Sequence, residues 1–148
     1  MTLPPWHTEI AELHDFFQGW LGGTLPATDA AYARLTATQA PEFVIVTPGG
    51  ECIPGPTLLA QLRAAHGSRP GWRMWIANAD QRVAQGGLTV ATYEEWQRHA
   101  DGTVTGRLSS VVFRDQPGTP NGLAWVHVHE TWLPEPVQRS RGQEGGDA

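Results

Sequence analysis

Two histidines near the C-terminal end of the chain have a spacing that could support a binding site. His127 and His129 are separated by one residue within the apolar run 123–133, which is typical of a β-strand. Because side chains alternate across a sheet, both histidines are expected to share one face with Trp125 and Thr131. The opposite face is then expected to carry Val126, Val128, Glu130 and Trp132.

Three interpretations of this histidine pair are open. The imidazoles could ligate a metal, but a metal needs a third ligand, which Glu95 or His99 could supply only if the strands align. The pair could instead be structural, partly buried and hydrogen-bonded. It could also work in a pocket, where a histidine binds a ligand or transfers a proton near neutral pH.

A charge pair is expected on two neighbouring strands before this segment. A three-residue loop at 100–102, with its glycine left-handed, sets Glu95 opposite Arg107 and Tyr93 opposite Ser109. Facing opposite charges stabilise a sheet by some tenths of a kcal/mol up to about 1 kcal/mol. This register is therefore preferred.

The alternative is a two-residue turn at Asp101-Gly102, which would set Glu95 against Leu108. In the preferred register the charge pair forms either the wall of a pocket or a solvated surface pair. In the pocket interpretation, Glu95 or His127 is the candidate general base and Arg107 the group that holds an oxygen of the ligand. The predicted ligand-binding residues are Tyr93, Glu95, Arg107, Ser109, Trp125, His127 and His129, with no metal and no cofactor.

Helical patterns are confined to the N-terminal half. A first helix is predicted from near Thr8, ending at Gly22-Gly23, and a second, shorter helix is predicted after Thr28. Gly55-Pro56 begins a third helix, which Gly67 ends. In the first helix His14 is expected at the surface or the rim of a pocket.

The remainder of residues 1–133 has the pattern of strands. Runs 43–46 and 51–53 form a predicted hairpin, and four longer strands are expected in an antiparallel meander. These are Trp72–Val83, Leu88–Arg98, Gly106–Arg114 and Leu123–Leu133. The pattern predicts one α+β domain, a curved antiparallel sheet packed against three N-terminal helices, followed by a disordered polar tail over 134–148.

The amino-acid composition of the chain argues against some classes of binding partner. The net charge of −5 and the scattered basic residues argue against a nucleic-acid binder. Segment 1–6 lacks the basic start and apolar stretch of a secretory signal, and no apolar run approaches the ~20 residues that span a membrane. We expect a cytoplasmic domain with no membrane partner. The single cysteine, Cys52, is expected to be a small buried residue.

Several segments resemble the nuclear-transport-factor-2-like, or SnoaL-like, superfamily across residues 8–133. Residues 41–51 followed by Gly55 resemble its hairpin, glycine and third helix. Residues 126–131 resemble the last strand of the calcium/calmodulin-dependent kinase association domain and its bacterial relatives. Residues 93–102 align with a strand and Asp-Gly turn of that domain, which carries pocket arginines at positions matching Glu95 and Val111 here.

The resemblance implies a cone-shaped fold with a pocket between the first helix and the concave sheet. It also implies a homodimer packed through the sheet, for which Trp96 and Trp132 are the expected exposed interface residues. This fold serves isomerases, dehydratases and cyclases as well as non-catalytic assembly modules, so it does not fix the function. The expected partners are a small organic ligand and a second copy of the chain.

Overall fold

Three helices precede the long strands in the computed structural model, which describes residues 2–145. Helix α1 spans Pro5–Gly22 and ends at Gly23, whose φ of 81° is left-handed. It begins three residues before the predicted start, because a proline at the first helical position needs no backbone donor. The extra turn brings Trp6 into the core, where it is 9% exposed.

The second and third helices begin where the sequence places them. Helix α2 spans Asp29–Thr36, and the Thr28 hydroxyl before it accepts a hydrogen bond from the Ala31 backbone N–H at 3.2 Å. Helix α3 spans Gly55–Ala64 and ends before Gly67. None of the helices in the described part of the chain is long and apolar enough to cross a membrane.

Six strands form one sheet. They are β1 Gln39–Val46, β2 Cys52–Pro54, β3 Arg73–Gln85, β4 Leu88–Arg98, β5 Val104–Asp115 and β6 Leu123–Trp132. The strand order is β2-β1-β6-β5-β4-β3, and the last four strands form the predicted antiparallel meander. The α+β class is confirmed, and the sheet is open and curled.

One pairing makes the sheet mixed rather than wholly antiparallel. Strand β1 is antiparallel to β2 but parallel to β6, with Val44 beside His127 and Val46 beside His129. Because these two strands are far apart in sequence, no turn between them could have revealed their direction. The pairing places the start of β1 next to Trp125, so that β1 becomes a wall of the interior.

The core lies between α1 and the inner face of the curled sheet. Helix α1 contributes the fully buried Ile10 and Trp20, and the sheet contributes Phe113 and Val111, which are also 0% exposed. The indole N–H of Trp20 donates to the Leu62 carbonyl at 2.8 Å, which holds α3 against α1. The packing of α1 across the sheet determines where the interior cavity can form.

A fourth helix, α4, spans Glu135–Gly145, where the sequence analysis predicted a disordered tail. Its composition is polar, so tertiary contacts rather than an apolar stripe define it. Gln138 accepts a hydrogen bond from the Gly106 backbone N–H at 2.9 Å, and Arg141 pairs with the buried Glu94 on the outer face of the sheet. Residues 146–148 of the predicted tail lie outside the described residues.

Gly106 of β5 gives a test of packing on that outer face. A Cβ atom added there would lie 2.5 Å from the Trp96 ring, which fills the space above the strand. We expect Gly106→Ala to lower the free energy of unfolding by about 1–3 kcal/mol, as overpacking does. Gly49→Ala is the control, since its nearest neighbour would be 4.0 Å away. Equal midpoints for the two variants in urea denaturation would contradict this prediction.

Candidate functional site

A cavity of about 60 Å³ lies between α1 and the inner face of the sheet. Nine of its thirteen lining residues have apolar or aromatic side chains, and four are polar. The apolar lining residues are Leu13, Phe17, Leu35, Phe43, Ile45, Leu58, Tyr93, Trp125 and Val128. The polar ones are His14, Gln39, Glu95 and Glu130.

His14 and Glu95 form a buried pair in the cavity wall. The His14 Nε2 lies 2.9 Å from a Glu95 carboxylate oxygen, and its Nδ1 lies 2.7 Å from the Ile10 carbonyl oxygen. A carbonyl oxygen only accepts, so Nδ1 carries a proton. A carboxylate at Nε2 then favours a second ring proton, which makes His14 an imidazolium.

Arg107 links the two carboxyl groups of the site. Its Nε lies 3.5 Å from Glu95 Oε2, and its Nη1 donates to Glu130 Oε1 at 3.2 Å. The other Glu130 oxygen accepts from the Ser109 hydroxyl at 3.5 Å. Gln97 completes the set by donating to Glu95 Oε2 at 2.7 Å. One guanidinium thus lies between two buried carboxyl groups of the same wall.

The pKa values of these two carboxyl groups move in opposite directions. Burial and the charge of Glu95 together raise the pKa of Glu130 to about 7, against the opposing effect of Arg107. Burial also disfavours charge on Glu95, but the hydrogen bond and charge of His14, with Arg107, lower its pKa below the usual 4.5. Glu130 is therefore the carboxyl group that can gain or lose a proton near neutral pH.

The same contact with Glu95 raises the pKa of His14. Its complete burial disfavours the charged ring, but the hydrogen bond and charge of Glu95 outweigh burial and raise the pKa above 6.5. Burial raises the pKa of Tyr93 well above 10, so its hydroxyl stays protonated. The Tyr93 ring meets the His14 ring edge-on at 5.3 Å and limits its movement.

The structure has the preferred register between β4 and β5. Glu95 lies opposite Arg107 and Tyr93 opposite Ser109, while Gly102 in the turn has a left-handed φ of 88°. Of the sequence-predicted residues, Tyr93, Glu95 and Trp125 line the cavity. Arg107 and Ser109 lie on the same inner face and contact the Glu130 carboxyl group.

The predicted face of β6 is wrong for His127 and His129. Strand β5 pairs Val112 with His127 but Phe113 with Trp125, so Val126 is an extra residue in a bulge. A bulge of this kind shifts the alternation of side chains by one position. Trp125, Val128 and Glu130 therefore line the interior, and the two histidines lie on the outer face.

The two histidine rings are neighbours on that outer face, with centroids 6.4 Å apart. Glu95, considered above as a third metal ligand, lies on the inner face instead. Within residues 2–145 the structure contains no group of three histidine, cysteine or carboxylate side chains placed to hold a metal. Cys52, expected to be buried, is exposed.

The predicted interface tryptophans are also placed differently. Trp96 is on the outer face but only 1% exposed, since it stacks with Trp75 and covers Gly106. Trp132 lies opposite Arg107, on the inner face, and its ring stacks under the guanidinium at 4.8 Å. It is 47% exposed, at the open edge of the site.

Three of the four polar lining residues, His14, Gln39 and Glu130, were not predicted to belong to the site. His14 was expected at the surface or rim, although it follows Leu13 within the apolar stripe of α1 that also includes Ile10 and Phe17. That position within the stripe could have indicated burial. Glu130 was not predicted because the sequence does not reveal the bulge in β6. Gln39 was not predicted because the sequence does not reveal that β1 pairs with β6.

A family model named "Sucrose-6-phosphate phosphohydrolase C-terminal" matches residues 7–134. Among curated proteins, the chain is 29% identical over 132 residues to probable sucrose-phosphatase 2 of Arabidopsis thaliana, covering 86% of this chain. It is 23% identical over 133 residues to sucrose-phosphatase 1 of Nicotiana tabacum, covering 84% of this chain. The chain spans only 30% of the length of each of these relatives.

Solved structures show the same fold. An NTF2-like protein of unknown function from Pseudomonas aeruginosa superimposes with a TM-score of 0.78 at 29% identity, covering 88% of this chain and 99% of the other. A putative calcium/calmodulin-dependent kinase II association domain from Exiguobacterium sibiricum gives 0.57 at 13% identity, covering 90% and 98%. The predicted resemblance to the nuclear-transport-factor-2-like superfamily is confirmed. By the match over residues 7–134, the chain belongs to the sucrose-6-phosphate phosphohydrolase C-terminal family.

Proposed function

We propose that this chain is a small-molecule-binding domain in which Glu130 exchanges a proton with the bound ligand. The observation that carries the proposal is the position of Glu130 in the wall of a mainly apolar cavity. Arg107 and Ser109 fix its two oxygens, so the carboxyl group is oriented before a ligand arrives. Such a preformed apolar pocket with a few convergent polar groups is typical of ligand sites.

The two carboxyl groups would have different roles. A general acid or base works best with a pKa near the working pH, which favours Glu130 over Glu95. Glu95 is engaged with His14, Arg107 and Gln97, so its role would be to hold charge beside Glu130. This pairing supports proton transfer of the isomerase or dehydratase type, with Tyr93 and Trp125 as the apolar contacts of the ligand.

The names of the curated relatives describe phosphatases, but the cavity here supports a different ligand. Phosphate groups are bound in proteins by arginine, lysine and free backbone N–H groups. Arg107, which contacts the two lining carboxyl groups, is already paired with Glu95 and Glu130, and those carboxyl groups would repel a phosphate. We therefore propose that the ligand is uncharged and largely apolar.

A second proposal is that two copies of the chain pack through the outer face of the sheet as an assembly module. This face carries Leu108, which is 39% exposed, with Ser110, His129 and Thr131 exposed beside it. In such a contact Leu108 would be the apolar centre and the polar side chains beside it would form the rim. The solved association domain from Exiguobacterium sibiricum shares the fold, which is compatible with this role.

Native mass spectrometry of the freshly purified protein tests both proposals together. We expect a dimer that carries the discrete additional mass of an organic molecule, and we expect that mass to disappear in the Leu13→Trp variant, which fills the cavity. Leu108→Glu is the control for the outer face and should give a monomer that keeps the molecule. A wild-type protein without additional mass, even after incubation with a mixture of small uncharged apolar compounds that includes alcohols and ketones, would contradict the binding proposal.

A further inference from the structure

One residue of the cavity lining, Gln39, has a polar atom for which the described part of the chain supplies no partner. Gln39 lines the cavity at the start of β1, and its Oε1 is buried without a hydrogen-bond partner among residues 2–145. A buried amide oxygen left unpaired destabilises a fold, so most such groups are satisfied. The Gln39 oxygen therefore requires a donor from whatever occupies the cavity.

The other polar lining groups already have protein partners. His14 contacts the Ile10 carbonyl and Glu95, and both oxygens of Glu130 accept hydrogen bonds from side chains of β5. Among the polar lining residues of the described chain, Gln39 is thus the one with an atom that has no protein partner at all. The remaining surface of the cavity is apolar or aromatic.

The neighbouring Gly55 keeps the Gln39 amide in this position. A Cβ atom at Gly55 would lie 2.7 Å from the Gln39 Nε2 and 3.0 Å from the Phe43 carbonyl oxygen. The amide nitrogen therefore fits against the first residue of α3 in a space that only glycine leaves free. This packing restricts rotation of the Gln39 side chain.

We propose that the cavity binds a small aliphatic alcohol, or the hydroxyl end of a longer apolar molecule, whose O–H donates to Gln39 Oε1. This inference rests on the proposed function and specifies the chemical class of the ligand. The hydroxyl supplies the missing donor, and the carbon skeleton contacts Phe17, Phe43 and Val128. At about 60 Å³, the cavity is less than half the size of the roughly 150 Å³ cavity known to hold benzene, so only about two or three heavy atoms of the ligand lie inside.

Two isomeric probes test the role of the hydroxyl group. 1-Butanol and methyl propyl ether have the same atoms and nearly the same volume, but only the alcohol can donate a hydrogen bond. We expect 1-butanol to shift the amide NMR signals of cavity residues in a saturable way and to bind at least tenfold more tightly than the ether. Because this comparison uses the unaltered protein, it does not depend on any variant folding.

A variant then assigns the preference to Gln39. In Gln39→Leu the acceptor is replaced by an apolar group of similar size, and we expect the two isomers to bind with equal affinity. The control variant Gln81→Leu removes an exposed amide of β3 that does not line the cavity, so it should keep the preference for the alcohol. Loss of the preference in Gln81→Leu, or its retention in Gln39→Leu, would overturn the assignment.

A longer pair, 1-octanol and methyl heptyl ether, distinguishes the two sources of the hydroxyl. Tighter binding of 1-octanol than of 1-butanol supports the end of a longer molecule, and weaker binding supports a small alcohol. Equal binding of an alcohol and its isomeric ether by the unaltered protein would overturn the inference and leave the cavity as a binding site. Absence of saturable shifts with all four probes would overturn the inference and the proposed function together.

Discussion

Replacing Glu9 with alanine is expected to lower the free energy of unfolding by about 3–5 kcal/mol, as breaking a buried ion pair does. Glu9 is 0% exposed, and its two oxygens accept four hydrogen bonds from three different side chains. Arg34 of α2 donates to both oxygens, at 2.8 and 3.1 Å. Asn121 and the Trp125 indole donate one bond each, at 3.0 and 2.7 Å. The carboxyl group therefore joins α1 to α2 and to β6.

Glu12→Ala is the matched control for this variant. Glu12 contacts the same Arg34 and Asn121 side chains from one turn further along α1, but its side chain is 49% exposed. Exposed ion pairs contribute about 0–1 kcal/mol. Urea unfolding followed by tryptophan fluorescence measures both variants. A loss below about 1 kcal/mol for Glu9→Ala, or equal losses for both variants, would contradict this account of how α1 is anchored.

We also expect the free energy of unfolding of the wild-type protein to fall by about 3 kcal/mol as the pH rises from 4.5 to 7. The pKa of Glu130 is about 7 in the folded protein and its ordinary value is 4.5. Between these values the folded state binds a proton that the unfolded state has released. The contribution of Glu130 to the free energy of unfolding therefore decreases with rising pH through this window and is constant above it.

His14 and Glu95, the two titratable groups beside Glu130, contribute to the pH dependence mainly outside the range from pH 4.5 to 7. His14 has a raised pKa, so its contribution is fully present below 6.5 and is lost as the pH rises through the folded pKa. Glu95 has a lowered pKa, so its contribution is present above 4.5 and is lost as the pH falls through the folded pKa. The slope between pH 4.5 and 6.5 thus reports mainly on Glu130.

Glu130→Gln isolates this contribution. The amide is a neutral isostere of the protonated acid, so the variant should match the wild type near pH 4.5 and exceed its stability above pH 7. Glu42→Gln, which alters an exposed side chain on β1, should retain the wild-type slope. Urea titrations at intervals of half a pH unit measure the three proteins. Wild-type stability that rises from pH 4.5 to 7, or an unchanged slope in Glu130→Gln, would show that Glu130 is not the group responsible.

Local sequence patterns were sufficient to predict most of the helices and strands. Thr28 caps α2 through its side chain, and Gly23 and Gly102 take the left-handed conformations that their predicted roles require. The three-residue turn determined the β4–β5 register, and with it the contact between Glu95 and Arg107. These features depend on residues close together in the chain, so their physical causes can be recognised without a structure.

The features that were not predicted depend on contacts between residues that are far apart in the sequence. The bulge at Val126 reverses the expected faces of β6, and its place depends on how β5 and β6 pair. The partners of α4 are Glu94 and Gly106 of the sheet, which a polar C-terminal sequence does not indicate. Glu9 is buried because its hydrogen-bond partners lie on α2 and β6, which the sequence of α1 alone does not indicate.

The most direct measurement is an NMR titration of the Glu130 side-chain carboxyl carbon, assigned by its absence from the spectrum of Glu130→Gln. We expect its chemical shift to change with a midpoint near pH 7, because burial and the charge of Glu95 raise its pKa. Glu95 should titrate below pH 4.5 in the same spectra, since His14 and Arg107 stabilise its charged form against the effect of burial. A Glu130 midpoint near 4.5 would contradict the proposal that this cavity holds a proton-exchanging group.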